Sequence, residues 1–202
     1  MPIIEHSAAV LLLWALIGYL MGSIPFGMVL TRLMGLGNLR NIGSGNIGAT
    51  NVLRTGNKTA AALTVLLDGG KGLAAVLLAR AFGGEDTAQI AGLMAMIGHC
   101  YPVWLRFAGG KGVATFLGIL LALSWPVGVG CCLAWLAGAL ISRISSMGAL
   151  FAAAASTPLM IFTGLPNGLF LGIALTLIIF WRHRANISRI RAGTEPTIGQ
   201  KT

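Results

Sequence analysis

The chain has 202 residues, of which 56% are hydrophobic and only 9% charged, with a mean hydropathy of +0.84. A soluble domain carries about 25% charged residues, so this composition excludes an ordinary water-soluble globule and points to a helical bundle in lipid. Lys and Arg number 14 against 5 acids, a net charge of +9, and because these bases are scattered among apolar runs and short loops they suit anionic lipid or small anions and argue against nucleic acid.

The chain opens Met1-Pro-Ile-Ile-Glu-His6 with no basic n-region, and its apolar run outlasts a signal peptide, so an uncleaved first span is expected. A transmembrane helix needs roughly 20 predominantly apolar residues. Such runs extend from Ala8 to Leu30, Thr59 to Phe82, Thr87 to Leu105, Ser146 to Phe162 and Leu165 to Trp181. Between Val113 and Ile141 a longer apolar stretch is interrupted by Ser124-Trp125-Pro126, and reads as one tilted helix or as two short ones meeting at a turn. Charge favours two. With seven spans, Arg32, Arg40, Arg54, Lys58, Arg106, Lys111, Arg143, Arg182, Arg184, Arg189, Arg191 and Lys201 share one side, while Glu5, Glu85 and Asp86 take the other with Arg80. A single long helix would export Arg143 and the basic tail, against the concentration of Lys and Arg on cytoplasmic loops. The expected architecture is one all-α integral membrane domain over residues 1–202, a polytopic bundle of seven transmembrane helices with its N-terminus out and C-terminus in. Its polar loops fall at about 36–58 and 98–113 and its basic C-terminal segment at 182–202. Gly18-x-x-x-Gly22 allows close helix packing, and Pro25 should kink the first helix. Cys100, Cys131 and Cys132 are odd in number and set in or beside apolar runs, which fits neither a disulfide framework nor a zinc site; no metal or cofactor is expected.

The first polar island runs from Leu36 to Arg54 and carries four glycines, Asn38, Asn41, Ser44, Asn46, Thr50, Asn51, Arg40 and Arg54, but no acid. Glycines such as Gly43 and Gly45 let backbone N–H groups approach an oxyanion, while Ser44, Asn46, Thr50 and Asn51 add neutral donors. Arg54 supplies a bidentate grip on phosphate. The alternative is a flexible turn between helices, but so long a loop in so compact a chain is itself a functional signal. Two segments then resemble each other: Leu67-Asp-Gly-Gly-Lys-Gly-Leu-Ala-Ala75, and Phe107-Ala-Gly-Gly-Lys-Gly-Val-Ala-Thr115 with Gly109, Gly110, Lys111 and Gly112. A glycine turn feeding a helix N-terminus, with Lys71 or Lys111 inside it, reads as a phosphate cradle. Neither is a Walker A loop, because no Ser or Thr follows the lysine and Val65 and Leu105 stand where a glycine is required. Asp68 and Lys71, at i,i+3 in an apolar run, form either an ion pair that orients the helix or a functional pair. His99 closes the third apolar run, and His183 and Asn186 share a helix face at the start of the tail; each imidazole is a candidate proton acceptor, or else a polar anchor. His6 lies on the other side and is given no role.

Gly43-Ser-Gly-Asn-Ile-Gly-Ala-Thr-Asn51 with Arg54, Gly98-His-x-Tyr-Pro102 leading into Gly109-Gly-Lys-Gly112, and Arg182-His-x-x-Asn-Ile-x-Arg189 with Gly193-x-Glu195 closely resemble the motifs of the bacterial acyl-phosphate-dependent glycerol-3-phosphate acyltransferases. The resemblance covers nearly the whole chain. It implies transfer of a fatty acyl group from acyl phosphate to the sn-1 hydroxyl of glycerol 3-phosphate, giving 1-acyl-glycerol 3-phosphate (lysophosphatidic acid) and phosphate, an early step of phospholipid synthesis. It further implies a multi-pass protein of the bacterial cytoplasmic (inner) membrane with its site facing the cytoplasm, in contact with membrane lipid and with the soluble enzyme that supplies acyl phosphate. By the same resemblance Ser44 and Arg54 are essential, Gly109–Gly112 holds glycerol 3-phosphate, His183 and Asn186 belong to the third motif, and Glu195 is structural. Ala108 departs from the family, which often has a lysine there, leaving Lys111 more of the phosphate contact.

Two anionic substrates account for the surplus of bases, and a long acyl tail for the membrane setting. The His-x4-Asp signature of the other large glycerolipid acyltransferase family is missing, since Trp104, Leu11 and Ser188 stand five places after His99, His6 and His183. Because acyl phosphate is already activated, charge neutralisation and alignment should supply most of the acceleration. The proton of the attacking hydroxyl would pass to His99, to His183 or to a substrate phosphate oxygen, and a covalent Ser44 is the least supported route, having no His–acid relay beside it. A small organophosphate or phosphate carrier is the competing reading, though the chain lacks an inverted repeat.

Overall fold

The computed structural model describes residues 2–199, so that Lys201 lies outside the described residues. Among these the regular structure is entirely helical. The first apolar run forms two helices, α1 (Ala8–Gly22) and α2 (Phe26–Leu33), broken at Ser23-Ile24-Pro25. Proline has no N–H to continue the ladder, and unpaired carbonyls are costly in lipid. Side chains from later elements therefore take them up: Lys71 Nζ donates to the Ile24 carbonyl (2.7 Å) and Trp104 Nε1 to that of Ser23 (2.8 Å).

The first polar loop follows, with a single helical turn, α3 (Ala49–Val52), inside it. Next, α4 (Lys58–Cys100) begins at Asn57, whose side chain accepts from the Ala60 N–H (2.9 Å). Its 43 residues would extend about 65 Å if straight, twice the roughly 30 Å hydrocarbon layer. It is not straight. Gly84 (φ 78°, ψ −161°), in a conformation open to glycine alone, divides it into limbs 58–83 and 85–100. The limbs fold back on each other: Thr87 Oγ1 donates to the Ala79 carbonyl (2.9 Å), and Gly92 lies against Val76.

The stretch after Val113 is two helices, α5 (Val113–Leu123) and α6 (Trp125–Ser142), divided at extended Ser124 with Pro126 in the first turn of the second. Then come α7 (Ser145–Phe162), α8 (Leu169–Arg182) and the short α9 (Arg184–Arg191). By length and hydropathy, Ala8–Leu33, Lys58–Leu105, Trp125–Ser142 and Ser145–Phe162 each suffice to cross a membrane, and Pro166–Arg182 joins Arg184–Arg191 across a 58° bend as a fifth candidate.

Packing is inverted relative to a soluble protein. Large apolar side chains face outward, Phe162 93% and Ile141 81% exposed, as lipid-facing groups must be, while Ala and Gly fill many of the helix contacts. A Cβ on Gly18 or Gly22 would run into the backbone of Ala91 or Ala95, so α1 lies directly on the second limb of α4. The segment Leu67–Ala75 is not a turn feeding a helix N-terminus, as its likeness to the later segment suggests, but mid-helix. Gly69 and Gly72 serve close approach to α5, against Gly118 and Thr115 respectively. At the opposite end from the polar loops, Asp86 accepts the N–H groups of Glu5 (3.0 Å) and His6 (3.1 Å) and contacts His6 Nδ1 (3.0 Å). Arg80 pairs with Glu85 and also donates to the carbonyls of Ala122 and Leu123. All three cysteines are free, Cys100 and Cys131 buried and Cys132 half-buried.

Candidate active site

The two polar loops and the α8–α9 bend surround one cavity of about 810 Å³. It is lined by Ser44, Asn46, Thr50, Arg54, Lys111, His99, His183 and Asn186 among others, and by Thr64, Val65, Leu117 and Trp135 from the helices.

In the first loop Asn51 is the organising residue. It is 2% exposed, and its amide donates to the carbonyls of Leu39 (3.0 Å) and Asn46 (2.8 Å) while its oxygen accepts from the Ser44 N–H (3.2 Å). Arg54 Nη1 reaches the same oxygen (3.5 Å). Although Asn51 borders the cavity, its hydrogen-bonding capacity is taken up by the loop, so it shapes the site where the sequence suggested a phosphate donor. Gly43, at φ 49°, lies on the Arg54 guanidinium where a Cβ would collide with it. Ser44 is exposed, Asn46 Oδ1 is buried without a hydrogen-bond partner among the described residues, and Thr50 meets Ser145 (3.2 Å).

The second loop is fastened on three sides. Gly109 N–H donates to the Cys100 carbonyl and Gly110 N–H to that of His99, both at 3.1 Å, folding the loop back over the end of α4. Arg182 donates to the carbonyls of Gly110 and Gly109, both at 3.0 Å, and stacks on Tyr101 (4.9 Å). Arg40 bridges the loops, donating to the carbonyls of Gly45 (3.2 Å) and Ala108. Gly112, at φ 82°, caps α5, whose first-turn N–H groups lack helical acceptors and carry the positive end of the helix dipole. Lys111 and Arg54 have no carboxylate within ion-pairing distance among the described residues. Burial lowers the Lys111 pKa to about 8; Glu195 opposes the shift, and Arg189, Arg182 and Arg54 add to it.

At the bend, His183 is 2% exposed and its Nδ1 lies 2.8 Å from the Ile179 carbonyl. A carbonyl only accepts, so Nδ1 carries the proton and Nε2 the lone pair. Burial first, then Lys111, lower its pKa to about 4, leaving a neutral ring at neutral pH. Asn186 Nδ2 donates to Glu195, which also accepts from Ser146 Oγ (2.7 Å) and Arg189 Nε (2.7 Å). Burial alone would raise the Glu195 pKa, yet these three donors bring it below the usual value. Holding the Asn186 amide by its nitrogen leaves Oδ1, buried and unpartnered, as an acceptor for a bound hydroxyl.

Two residues read from sequence as phosphate contacts stand elsewhere. Lys71 does not line the cavity: it is 5% exposed, paired to Asp68 (2.8 Å) and bonded to Ile24, because a mid-helix lysine in lipid must find acceptors within the protein. Gly110 is also outside the lining, and a methyl there would strike His99 Nε2, not an incoming ligand. Conversely, Arg40, Ser146 and Arg182 shape the site; Arg182 opens the third motif and Arg40 lies in the first polar island, whereas no spacing marks Ser146. No three His, Cys, Asp or Glu side chains among the described residues converge as a metal site.

A family model described as glycerol-3-phosphate acyltransferase matches residues 12–193. Glycerol-3-phosphate acyltransferases of Roseobacter denitrificans and Ruegeria pomeroyi are 75% identical over 98% of this chain and 99% of that one, and 69% identical over 100% of both. The crystal structure of PlsY (YgiH), an integral membrane glycerol 3-phosphate acyltransferase, in its glycerol 3-phosphate form superposes with a TM-score of 0.88 at 40% identity, covering 94% of this chain and 96% of that one. Its lysophosphatidic acid form gives 0.86 at 37%, covering 94% and 95%. Likeness of this extent goes well beyond a shared fold, and the chain belongs to the membrane glycerol-3-phosphate acyltransferase family.

Proposed function

We propose that this acyltransferase moves a fatty acyl group from acyl phosphate to the sn-1 hydroxyl of glycerol 3-phosphate, releasing 1-acyl-glycerol 3-phosphate and phosphate. Family membership decides for an enzyme over a carrier. The observation that carries the substrate reading is one cavity in which Arg54 and Lys111 have no carboxylate within ion-pairing distance among the described residues, while Val65, Leu117 and Trp135 offer an apolar wall. Two phosphates and an acyl tail match that division, and the glycerol 3-phosphate and lysophosphatidic acid forms of PlsY correspond to the acceptor and the product.

In the reaction the sn-1 oxygen attacks the acyl carbon, a new C–O bond forms, and the acyl–phosphate C–O bond breaks with its electron pair leaving on phosphate. Arg54, Lys111 and the N–H groups of Gly43, Lys111 and Gly112 neutralise the two anions, with Ser44, Asn46 and Thr50 as neutral donors. Asn186 Oδ1 and His183 Nε2 align the hydroxyl. Its proton passes to His183, His99 or a phosphate oxygen, and the pH profile separates His183 from the phosphate.

The whole chain acts as one domain with seven passes: the α1–α2 run, the two limbs of α4, then α5, α6, α7 and α8. Thus counted, the N-terminus is outside and the site faces the cytoplasm at the inner membrane, within reach of a soluble enzyme that supplies acyl phosphate. Purified protein in detergent is given labelled glycerol 3-phosphate with palmitoyl phosphate or palmitoyl-CoA. Product is expected from palmitoyl phosphate alone. Product from palmitoyl-CoA alone would overturn the donor assignment, and none from either would overturn the reaction.

A further inference from the structure

Asp68 is an acid inside an apolar helix that the reaction above does not use. It is 3% exposed and ion-paired to Lys71 (2.8 Å), whose ammonium is fixed in turn by the Ile24 carbonyl at the break in the first span (2.7 Å). The Asp68 backbone carbonyl accepts from Thr115 Oγ1 (2.9 Å), anchoring this turn of α4 to α5 directly below the second loop. On the carboxylate's other side stands His99, 4% exposed, its Nδ1 3.7 Å from Asp68 Oδ1 and without a hydrogen-bond partner among the described residues. A gap of 3.7 Å is beyond a hydrogen bond, and an orphaned ring nitrogen at that depth is costly. Contacts of this kind tighten when a site fills. The imidazole's far edge lies beneath the Cα of Gly110, in the loop whose N–H also bonds the His99 carbonyl.

We propose that Asp68 is a positioning residue for the glycerol 3-phosphate loop, acting through His99, with Lys71 as its fixed counter-charge. The proposal rests on the reaction described above. The carboxylate holds the imidazole by Nδ1, and the imidazole supports Gly110, so that the loop N–H groups and Lys111 meet the phosphate in one geometry. Lys71 thereby influences phosphate binding without touching phosphate. The resemblance between the two Gly-Gly-Lys-Gly segments has a physical sense here: the first lies in the helix beneath the second and keeps it in place.

The test is a double-mutant cycle on Asp68→Asn and His99→Gln, following KM for each substrate and kcat. Each single change should raise KM for glycerol 3-phosphate about tenfold, the scale of one charge-assisted hydrogen bond, with KM for palmitoyl phosphate little altered. The double variant should be no worse than either single, since both break the same link. Additive effects, an equal rise in both KM values, or an unchanged KM for glycerol 3-phosphate would overturn the positioning role. Should Asp68→Asn not fold, Lys71→Gln replaces it in the cycle, keeping a donor toward Ile24 while removing the charge, and the same outcomes decide. Absence of product from the parent chain would instead overturn the reaction itself.

Discussion

The residues around the cavity differ in how burial treats them, and two lead to pH-dependent behaviour of opposite kinds. Lys111 is pushed down to about 8, so above that pH the free enzyme loses a charge it needs to attract phosphate. A bound dianion restores preference for the ammonium, so the loss belongs to kcat/KM, which reports the free enzyme, and not to kcat. The kcat/KM for glycerol 3-phosphate should fall about tenfold per pH unit above the Lys111 pKa, with kcat flat. Lys111→Arg, charged throughout, should lack that fall; an alkaline limb persisting in the arginine variant would take Lys111 out of phosphate capture. His183 behaves differently. With its pKa lowered to about 4 and Nδ1–H held by Ile179, it is a neutral acceptor and a weak base. An acidic limb due to His183 would therefore sit near that value, whereas a substrate phosphate acting as base would give a limb near its second pKa, about 6. The expected result is a limb near 6 retained in His183→Ala, with turnover reduced about 10- to 100-fold through loss of hydroxyl alignment. Disappearance of the limb in that variant would assign the proton to the imidazole.

At the scale of elements, helix approach is set by glycine. Gly22 of α1 sits where any Cβ would enter the backbone of Ala95, and Lys71 and Trp104 then seal the break that follows α1. Gly22→Val should destabilise the bundle by about 1–3 kcal/mol or more, the cost of overpacking against backbone that cannot move aside; the thermal midpoint in detergent measures it, and no change would mean that α1 is not clamped on α4. This packing was legible in part. Gly18-x-x-x-Gly22, the kink at Pro25 and the break at Ser124-Trp125-Pro126 all follow from glycine and proline chemistry that needs no knowledge of neighbours. The Gly84 reversal was legible as a span boundary next to Glu85 and Asp86, but its conformation was not. Misreading the segment at 67–75 has a definite cause: Gly-Gly-Lys-Gly specifies a turn only when something ends the helix before it, as Arg106, Phe107 and Pro102 do for the second copy. In the first copy nothing does, and lipid favours an unbroken helix. Lys71 is taken up by Asp68 and Ile24, and Asn51 by its own loop, for a related reason. Residue type names what a side chain is able to bind, while packing decides which partner reaches it first.

At the scale of the whole molecule the remaining question is which way the bundle faces. Among the described residues four helical stretches are long and apolar enough to cross a membrane by themselves; α5 and α8 are shorter, and the two limbs of α4 lie in one of the four. The proposed seven-pass count rests instead on the reversal at Gly84 and the break at Ser124. The cavity, with Arg54, Lys111, Arg182 and Arg189, is gathered at one end, and Glu5, Glu85 and Asp86 at the other. The proposed inward orientation of the cavity rests on the retention of basic loops on the cytoplasmic side. Thiol labelling of intact cells tests this in a chain whose native cysteines are replaced. Asp86 is a poor probe position, because its side chain is buried on His6 and the Glu5 and His6 amides, so Glu85, which is exposed, is used. An impermeant reagent should label Glu85→Cys from outside and leave Ser44→Cys unlabelled until the cells are opened. Labelling of both positions from outside would mean that they share a side and would break the count at the Gly84 reversal or the first span. Labelling of Ser44→Cys alone would invert the bundle, placing glycerol 3-phosphate capture on the outer face, away from any cytoplasmic supply of acyl phosphate.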